Sequence, residues 1–471
     1  MLDSIQISHE VKSILSPKFA FAHNVLPIDI KNFTLHLAVQ NQDDLKLIND
    51  VSFETGYEIR VSEFPADVIL KKLKELYPNY SNNNEEIIKE SLDSEQSNIE
   101  FVNQVIANAI NLKASDIHFE TLETAFRVRY RIDGHLSEVS NLPKQRHLSI
   151  SSRLKIMANL DISEKRRPQD GRIKFIYKGH NIDIRVSSLP TGFGEKIVLR
   201  ILDKSQLKLD LKLLGLSESQ YKILTKTITA PYGMVLVTGP TGSGKTTTLY
   251  AALKQIHSIE KNIMTIEDPI EYNIDGINQC NVKSDIGFDF AKALRSFLRQ
   301  DPNVIMVGEI RDRETAEIAI RASLTGHLVF STLHTNDSIS AITRLIDMGI
   351  EPFLISASLK LIVAQRLVRT LCSCKVLKRN LTQEKLKPHE IGYKNVGCNS
   401  CNNTGFKGRT SIFEILEVDE KITELISNNV SVTKIREAAV MQGYKILREA
   451  GMEKVRDGIT TYEEVLQETM L

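Results

Sequence analysis

Hydrophobic and polar positions follow different rules in different parts of the chain. Over Phe126–Ile132, apolar residues alternate with three arginines, which is typical of a strand with one buried face. Asp133-Gly134 follows directly and predicts a hairpin turn. A helix is predicted at Ile99–Leu112. Further strands are predicted at Arg172–Tyr177, Asn181–Val186 and Lys196–Leu202.

The pattern changes near residue 218, where short apolar runs begin to alternate with longer amphipathic stretches. The runs are Met234–Thr238, Ile263–Ile266, Val304–Val307 and Leu328–Thr332. Short apolar strands separated by helices indicate a parallel sheet with crossover helices. A stripe of Leu and Ile over Pro352–Leu371 predicts a core element rather than a binding surface, and the C-terminal end reads as helices.

The first 77 residues have a third pattern. Short strands are predicted near Thr34–Val39 and Glu58–Val61, and a helix over Ala66–Tyr77. Residues 78–98 are dominated by Ser, Asn and Glu, and they cannot bury much apolar surface. We therefore predict a small α+β domain at 1–77, a flexible linker at 78–98, a second α+β domain at 99–203, a linker at 204–217, and an α/β domain at 218–471.

Composition narrows the function classes. The 471 residues suggest roughly three domains. Lys and Arg number 60 against 59 Asp and Glu, and Trp is absent, which argues against a dedicated nucleic-acid binder. No apolar run is long enough for a membrane span and the start lacks a secretory signal, so we expect a cytoplasmic protein. In that compartment the five cysteines are expected to be metal ligands or buried thiols.

The most specific motif is a phosphate-binding loop between a predicted strand and a predicted helix. It fits G-x-x-x-x-G-K-[ST] in full. Its glycines let backbone N–H groups point at phosphate oxygens, Lys245 supplies a charge for the β and γ phosphates, and Thr246 supplies a hydroxyl for Mg²⁺. We predict nucleotide contacts from Gly239, Pro240, Thr241, Gly242, Ser243, Gly244, Lys245, Thr246 and Thr247.

Carboxylates follow two other predicted strands. Glu309 follows Val304–Val307, at the edge of a parallel sheet where ligands bind, and its length suits a base that orients the attacking water. Glu267, Asp268 and Glu271 follow the strand at Ile263–Ile266. Beside a phosphate loop we expect these groups to bind Mg²⁺ through water or to position a nucleophile.

These motifs together resemble the bacterial secretion ATPase superfamily, the hexameric motors of type II secretion, type IV pilus assembly and retraction, and related DNA-transfer systems. The resemblance rests on the phosphate loop, the acidic stretch, Leu298–Asp312 and Gly326–Asp337, and it covers nearly the whole chain. It implies a RecA-like C-terminal ATPase domain at 218–471, preceded by a PAS-like domain at 99–203 and a partner-docking domain at 1–77.

The resemblance also implies roles for individual residues. Gly239–Thr246 becomes the Walker A loop, Glu309 the catalytic glutamate, and Glu267, Asp268 and Glu271 the Asp box. His327 and His334 match the family's His box, with His334 near the γ-phosphate. Arg185 and Arg200 match arginines of the preceding domain that reach the nucleotide phosphates. Further arginines around the site are matched by Arg295, Arg299, Arg311 and Arg344. From the residues alone, local salt bridges remain the alternative for Arg185 and Arg200, and a structural role remains the alternative for His334.

Four cysteines form a separate cluster in a predicted insert at 372–401. Cys372 and Cys374 make a C-x-C pair, and Cys398 and Cys401 a C-x-x-C pair. Four thiolates satisfy tetrahedral Zn²⁺ in a structural site. The resembling family carries two C-x-x-C pairs here, so this chain is one residue short in the first pair. Reduced, unliganded thiols are the alternative, and Cys280 is expected to be a separate buried thiol.

The sequence therefore predicts an ATPase that uses ATP and Mg²⁺ and carries Zn²⁺. By resemblance it is a homohexamer that drives pseudopilus or pilus assembly for type II secretion, and it docks through its first domain on an inner-membrane platform protein, without direct nucleic-acid contact. Alternatives are a type IV pilus assembly or DNA-uptake motor, and a nucleotide-binding scaffold without significant hydrolysis.

Overall fold

A computed structural model of the chain describes residues 7–470, with several internal gaps. The gaps are residues 13, 16, 32, 43, 45–46, 49–50, 53–54, 56, 78–97, 203–208 and 379–391. Nearly all of the first predicted linker and the start of the second lie outside the described residues. The described residues form two compact units, one within 1–105 and 148–153, the other within 106–147 and 154–471.

The N-terminal part is built on a three-stranded sheet. Its strands are β1 (Leu26–Lys31), β2 (Thr34–Val39) and β3 (Glu58–Glu63), and its helices are α1 (His9–Lys12), α2 (Pro17–Ala22) and α3 (Ala66–Leu76). β1 pairs with β2 antiparallel and β2 with β3 parallel. The sequence predicted β2, β3 and α3 but missed β1, because Pro27 and two charged residues, Asp29 and Lys31, interrupt its apolar pattern.

A helix over residues 98–111, α4, precedes the second sheet. The strands of this sheet are β4 (Asp116–Thr121), β5 (Ala125–Ile132), β6 (His135–Pro143), β7 (Gln169–Tyr177), β8 (His180–Thr191) and β9 (Gly194–Leu202), and helix α5 (His147–Met157) follows β6. Their order is β6-β5-β4-β9-β8-β7, with every neighbour antiparallel. Asp133-Gly134 forms the predicted two-residue turn between β5 and β6, with both residues at positive φ.

The third sheet has seven strands. They are β10 (Gly233–Thr238), β11 (Ile263–Glu267), β12 (Asn278–Asn281), β13 (Val304–Val307), β14 (Leu328–Leu333), β15 (Leu359–Leu371) and β18 (Phe406–Glu417), while β16 (Val376–Leu377) and β17 (Tyr393–Lys394) form a separate pair. The order is β12-β11-β13-β14-β10-β15-β18, parallel except for the antiparallel pair of β15 and β18. The predicted parallel sheet is thus confirmed over its apolar strands.

Helices surround this sheet. They are α6 (Glu218–Ile228), α7 (Lys245–Ile256), α8 (Phe290–Phe297), α9 (Arg313–Leu324), α10 (Ser338–Asp347), α11 (Pro352–Ser358), α12 (Glu420–Ser427), α13 (Val432–Met441), α14 (Leu447–Arg456) and α15 (Tyr462–Thr469). The stripe over Pro352–Leu371 is confirmed as core. Most of it is the long strand β15, whose β-branched pair Ile362-Val363 is buried between β10 and the edge strand β18.

The structure describes residues 209–217 of the second predicted linker. Residues 209–217 contain a 3₁₀ turn at Leu211–Leu213, and Leu211 is fully buried in the core beside α6 and α7. Leu209, Leu214 and Leu216 also pack against this core, whereas Leu213 is exposed. Among the described residues, no helix has the length and apolar content that crossing a membrane requires.

Candidate active site

The phosphate loop opens into a large cavity. The cavity has a volume of about 1160 Å³ and is lined by Pro240–Thr247, by the ends of β11, β13 and β14, by α15, and by residues of the second sheet. The C-terminal ends of parallel strands meet at this edge of the sheet, as expected for a ligand site in an open α/β fold. The nine residues predicted to contact nucleotide therefore lie in or directly beside one concave site.

The loop conformation depends on glycines at two close approaches. A Cβ on Gly239 would lie 2.5 Å from the Gln365 carbonyl oxygen, and one on Gly244 would lie 2.8 Å from the Gln365 side-chain amide. Both glycines have positive φ, and Gly244 precedes the first residue of α7. The first turn of α7 thus presents its N–H groups to the cavity, which favours an anion.

Lys245 is a buried charge next to the phosphate loop. It is only 9% exposed, and its Nζ donates to the carbonyl oxygens of Gly239 at 2.8 Å and Pro240 at 3.0 Å. Burial lowers the pKa of Lys245 to about 8. The Ser243 hydroxyl is buried and has no hydrogen-bond partner among the described residues. An unpaired buried hydroxyl beside a buried ammonium fits a phosphate group.

Glu309 follows β13 and faces the same cavity. Its Oε1 lies 2.6 Å from the Arg311 guanidinium, and its Oε2 lies 3.5 Å from His334 Nε2. The ion pair with Glu309 raises the pKa of Arg311. Burial, followed by the nearby Lys245 charge, lowers the pKa of His334 and favours the neutral imidazole. At the end of β13, Glu309 therefore contacts the Arg311 cation with one carboxylate oxygen and the His334 ring with the other.

Glu267 is held differently, although it too lines the cavity. It is 4% exposed and accepts hydrogen bonds from Tyr250 Oη, Thr265 Oγ1 at 2.7 Å and Gln279 Nε2 at 3.1 Å. Burial raises the pKa of Glu267 despite these donors. With three donors on its carboxylate, Glu267 braces β11 against helix α7.

The rest of the acidic stretch is more accessible. Asp268 is exposed on the cavity lining. Glu271 lies 3.3 Å from Arg185, whose Nη2 also donates to the Ile270 carbonyl oxygen at 3.2 Å. Arg185 is thus brought from β8 to the acidic stretch, where it makes a salt bridge within the chain.

A second charged group faces the phosphate loop from the other sheet. We call Asp116, Arg131 and Arg200 the arginine wall. Asp116 is paired across β4 with Arg131 on one side and Arg200 on the other, so the three side chains share a face. Asp116 lies 3.0 Å from Arg200 Nε and 3.5 Å from Arg131 Nε. All three residues line the cavity.

Other matched residues fall elsewhere. His327 precedes β14, whereas His334 follows it, so the two histidines lie at opposite ends of this strand; the His327 ring contacts the Ala322 carbonyl oxygen at 2.9 Å. Arg295 pairs with Glu314, and Arg299 donates to the Arg295 carbonyl oxygen. Neither these two arginines nor Arg344 belongs to the described cavity lining, whereas Arg311 does.

The structure adds two residues that the sequence did not indicate. Tyr250 is fully buried on α7 and contacts Glu267. Its position one helical turn after Thr246 is the sequence feature that could have indicated it. Arg366 on β15 is 7% exposed, and its Nη2 donates to the Asn336 carbonyl oxygen at 3.0 Å. A Cβ on Gly239 would lie 3.2 Å from Arg366 Nη1. No local pattern connects β15 to the phosphate loop, so only the sheet order reveals this contact.

The four cysteines form a compact cluster. Cys372 follows β15, and Cys401 lies just before β18, so the antiparallel pairing of these strands brings the pairs together. The Sγ atoms of Cys372 and Cys398, and of Cys374 and Cys401, are 3.9 Å apart, and those of Cys398 and Cys401 are 3.8 Å apart. A tetrahedron with Zn–S bonds of about 2.3 Å has edges of about 3.8 Å. The spacing therefore fits zinc despite the short C-x-C pair.

Backbone donors support the cluster. The N–H groups of Cys398 and Gly405 point at Cys401 Sγ at 3.1 Å and 3.2 Å. Such donors stabilise a thiolate over a thiol. Cys280 lies on β12, half-buried and packed against the main core rather than near the cluster, and burial raises its pKa.

Comparisons with known proteins agree with this geometry. The family model described as type II/IV secretion system protein matches residues 91–467, and the MshEN domain model matches residues 2–81. The type IV pilus assembly ATPase PilB of Myxococcus xanthus is 44% identical, over 99% of this chain and 88% of that protein. The type II secretion system ATPase E of Vibrio cholerae is 50% identical, over 79% of this chain and 75% of that protein.

A solved structure supports the same fold. The pilus retraction motor PilT with bound ADP is similar, with a TM-score of 0.53 and 28% identity, over 78% of this chain and 96% of that chain. The similarity is consistent with the expected RecA-like sheet of the C-terminal part, preceded by smaller mixed domains.

Proposed function

The chain belongs to the type II/IV secretion system protein family, and on that premise we propose that it is an ATP-hydrolysing motor for pilus or pseudopilus assembly. The observation that carries the proposal is the complete phosphate loop with Glu309 across the same cavity. A scaffold that only binds nucleotide has no need of a carboxylate at this position.

We propose that the phosphate loop holds the triphosphate of ATP. The first turn of α7, the buried Lys245 ammonium and the unpaired Ser243 hydroxyl are the groups that support this assignment. The Thr246 hydroxyl, exposed at the start of α7, would hold Mg²⁺. When bound, Mg²⁺ neutralises charge on the β and γ phosphates.

Glu309 is the proposed general base. It accepts a proton from a water whose oxygen attacks the γ-phosphorus, while the bond to the bridging oxygen breaks and ADP leaves. Arg311, 2.6 Å away, orients the carboxylate, and the neutral His334 is placed to hydrogen-bond the γ-phosphate or the water. Glu267 contributes by position, through its bonds to Tyr250 and Thr265, and the exposed Asp268 is the group free to approach the Mg²⁺ waters.

Arg185 and Arg200 are proposed to contact the nucleotide phosphates from the second sheet. Arg200 already lines the cavity, which supports this role directly. Arg185 would have to exchange its contact with Glu271 for a phosphate, so its role requires movement of its domain. Such a movement, about the 204–217 linker, is the proposed step that converts hydrolysis into mechanical work.

We propose Zn²⁺ as the occupant of the four-cysteine cluster, with a structural role. Colorimetric or mass-spectrometric metal analysis should find close to one zinc per chain. Replacing Cys398 with Ser should remove most of it and lower the melting temperature, whereas Cys280→Ser should retain it. A metal-free wild-type protein would favour reduced thiols instead.

The remaining assignments follow the family resemblance. We propose a homohexamer, a partner-docking domain at 1–77, a second domain at 99–203, an ATPase domain at 218–471, and a location at the inner membrane through a platform protein. No direct contact with nucleic acid is proposed. Relatives named as pilus assembly ATPases match 98–99% of this chain, N-terminal domain included, whereas those named for type II secretion match about 80%. This difference favours pilus assembly as the task.

Two measurements test the proposal. Purified Glu309→Gln should bind ATP but lose turnover, while Glu317→Gln, a matched change on the surface of α9, should keep it. Equal rates for wild type and Glu309→Gln would overturn Glu309 as the base. With the same variants at the native locus, loss of surface pili indicates pilus assembly, loss of secreted proteins with intact pili indicates type II secretion, and neither loss indicates DNA uptake.

A further inference from the structure

The turn between β5 and β6 touches a distant part of the chain. Asp133 Oδ2 accepts a hydrogen bond from the Gly408 N–H at 2.8 Å, and Asp133 Oδ1 lies 3.9 Å from Arg409 Nε. We call Asp133, Gly408 and Arg409 the latch. It joins the second sheet to β18, which belongs to the C-terminal sheet.

Local structure on both sides prepares this contact. Asp133 and Gly134 have φ of 49° and 91°, so the tight turn holds the Asp133 carboxylate at the tip of the hairpin. On β18, Lys407 and Gly408 lie between the residues paired with Arg369 and Leu371, so two residues oppose one and form a bulge. A bulge takes a backbone N–H out of the strand ladder, and here Gly408 donates it to Asp133 instead.

The latch lies next to the arginine wall. Arg131 is two residues before Asp133 on the same hairpin, and its Nη1 donates to the Gly134 carbonyl oxygen at 2.8 Å. Arg131 and Arg200 are then joined through Asp116. Asp133, Arg131 and Arg200 line the same cavity as the phosphate loop. A contact that fixes the tip of the hairpin therefore also fixes the position of Arg131 relative to the phosphate loop, and through Asp116 that of Arg200.

The contacts of the latch are expected to stabilise the position of the second sheet, but only by an amount that a domain movement can overcome. Asp133 and Arg409 side chains are 25% and 37% exposed, so water competes for both. A hydrogen bond to a charged group contributes more than a neutral one, whereas a partly exposed ion pair contributes little. Most of the effect is therefore expected from the bond between the carboxylate and the Gly408 N–H.

We propose that Asp133 is a positioning residue that holds the second sheet on β18 and thereby keeps Arg131 and Arg200 against the bound nucleotide. This inference rests on the proposed function, since it assumes that the cavity takes ATP. Loss of the latch should weaken nucleotide binding without disabling Glu309, because Glu309 and the phosphate loop both follow strands of the C-terminal sheet and do not depend on the second sheet for their position.

The test uses the full-length chain and two substitutions that keep the turn. Asp133→Gly removes the carboxylate at a positive-φ position that glycine tolerates, and Asp133→Asn keeps an acceptor for Gly408 but loses the charge. Lys178→Gly is the matched control, since Lys178-Gly179 forms a turn of the same type between β7 and β8, with φ of 48° and 79°.

Asp133→Gly should raise KM for ATP and the Kd of a fluorescent ADP analogue about five- to tenfold, with kcat within twofold. Asp133→Asn should raise them less than threefold, and Lys178→Gly should match wild type. In the Asp133→Gly background, Arg200→Gln should add almost nothing, because the wall is already displaced. Unchanged KM in Asp133→Gly, or fully additive effects with Arg200→Gln, would overturn the latch. A wild-type protein that does not hydrolyse ATP would instead overturn the proposed function.

Discussion

The two walls of the cavity are built in opposite ways. On the C-terminal side, Lys245 and Glu267 are almost completely buried, at 9% and 4% exposure, and are held by several hydrogen bonds each. On the opposite side, the side chains of Arg131 and Arg200 are 35% and 59% exposed, and they are held by ion pairs to one carboxylate.

This difference separates two tasks. Buried groups with fixed partners are preorganised for chemistry, because they need no rearrangement when charge develops. Exposed arginines on a separate sheet are adjustable, since each ion pair costs little to break. We therefore expect changes on the buried wall to reduce turnover or abolish binding, and changes on the exposed wall to shift affinity modestly.

The largest effect is expected for Lys245→Ala. Removing the only buried cation of the phosphate loop should weaken binding of a fluorescent ADP analogue by more than about a hundredfold. Isothermal or fluorescence titration measures the change. Lys254→Ala, an exposed lysine in the last turn of the same helix α7, should bind as the wild type does. Similar affinities for both variants would break the comparison.

The pH dependence of kcat/KM should also reveal the role of Lys245. Because the pKa of Lys245 is lowered from its usual 10.5 to about 8, the free enzyme loses this charge as pH rises through 8. We expect kcat/KM for ATP to fall toward tenfold per pH unit above that point, since kcat/KM reports the free enzyme. Bound phosphate favours the charged lysine, so kcat should stay level to higher pH. A flat kcat/KM from pH 7 to 9.5 contradicts the prediction.

Tyr250→Phe sharpens the role of Glu267. The change removes one of three donors to a buried carboxylate and leaves the ring in place. We expect kcat to fall about fivefold, with KM within twofold, because the bond positions an active-site strand. Steady-state kinetics measure both values. Tyr232→Phe, at a residue that is 50% exposed, is the control. Unchanged kcat would mean that the hydrogen bond from Tyr250 to Glu267 does not contribute to the reaction.

The smallest effect is expected on the exposed wall. Arg200→Gln should raise KM for ATP about threefold, keep kcat within twofold, and leave the melting temperature almost unchanged, since Arg131 still pairs with Asp116. Arg166→Gln is the control, because that side chain is 90% exposed in the same part of the chain. A loss of turnover as large as that of a buried-wall variant would remove the distinction between the walls.

Much of the C-terminal fold could be predicted because its signals are local. Val304–Val307 is a strand at the predicted residues, since four consecutive apolar residues are buried on both faces of the sheet. Gly239–Thr246 could be identified from spacing alone. By contrast, β1 was missed. Pro27, Asp29 and Lys31 interrupt its apolar pattern, and it is a strand because it pairs with β2. Pro352–Leu371 has the composition of a core element, but its pairing with β10 and β18 makes most of it a strand.

The candidate site was also predictable only where its residues belong to local motifs. Residues that the sequence grouped by spacing, such as Lys245 and Glu309, do face one cavity. Two arginines predicted for the same neighbourhood, Arg295 and Arg299, instead make contacts along α8 and with α9. Sequence reasoning had no access to Arg366, because its contact with the phosphate loop depends on β15 lying beside β10.

The sequence by itself determined the chemistry: a glycine-rich loop before a helix, a carboxylate at a strand end and four cysteines in two pairs each act through short-range geometry. Only the tertiary structure decided which distant groups meet them. Strand order brought Arg366 to Gly239, antiparallel pairing closed the cysteine cluster, and the bulge on β18 freed a backbone N–H for Asp133. Such contacts depend on residues far apart in the chain, where pairing and packing, rather than local pattern, set the distances.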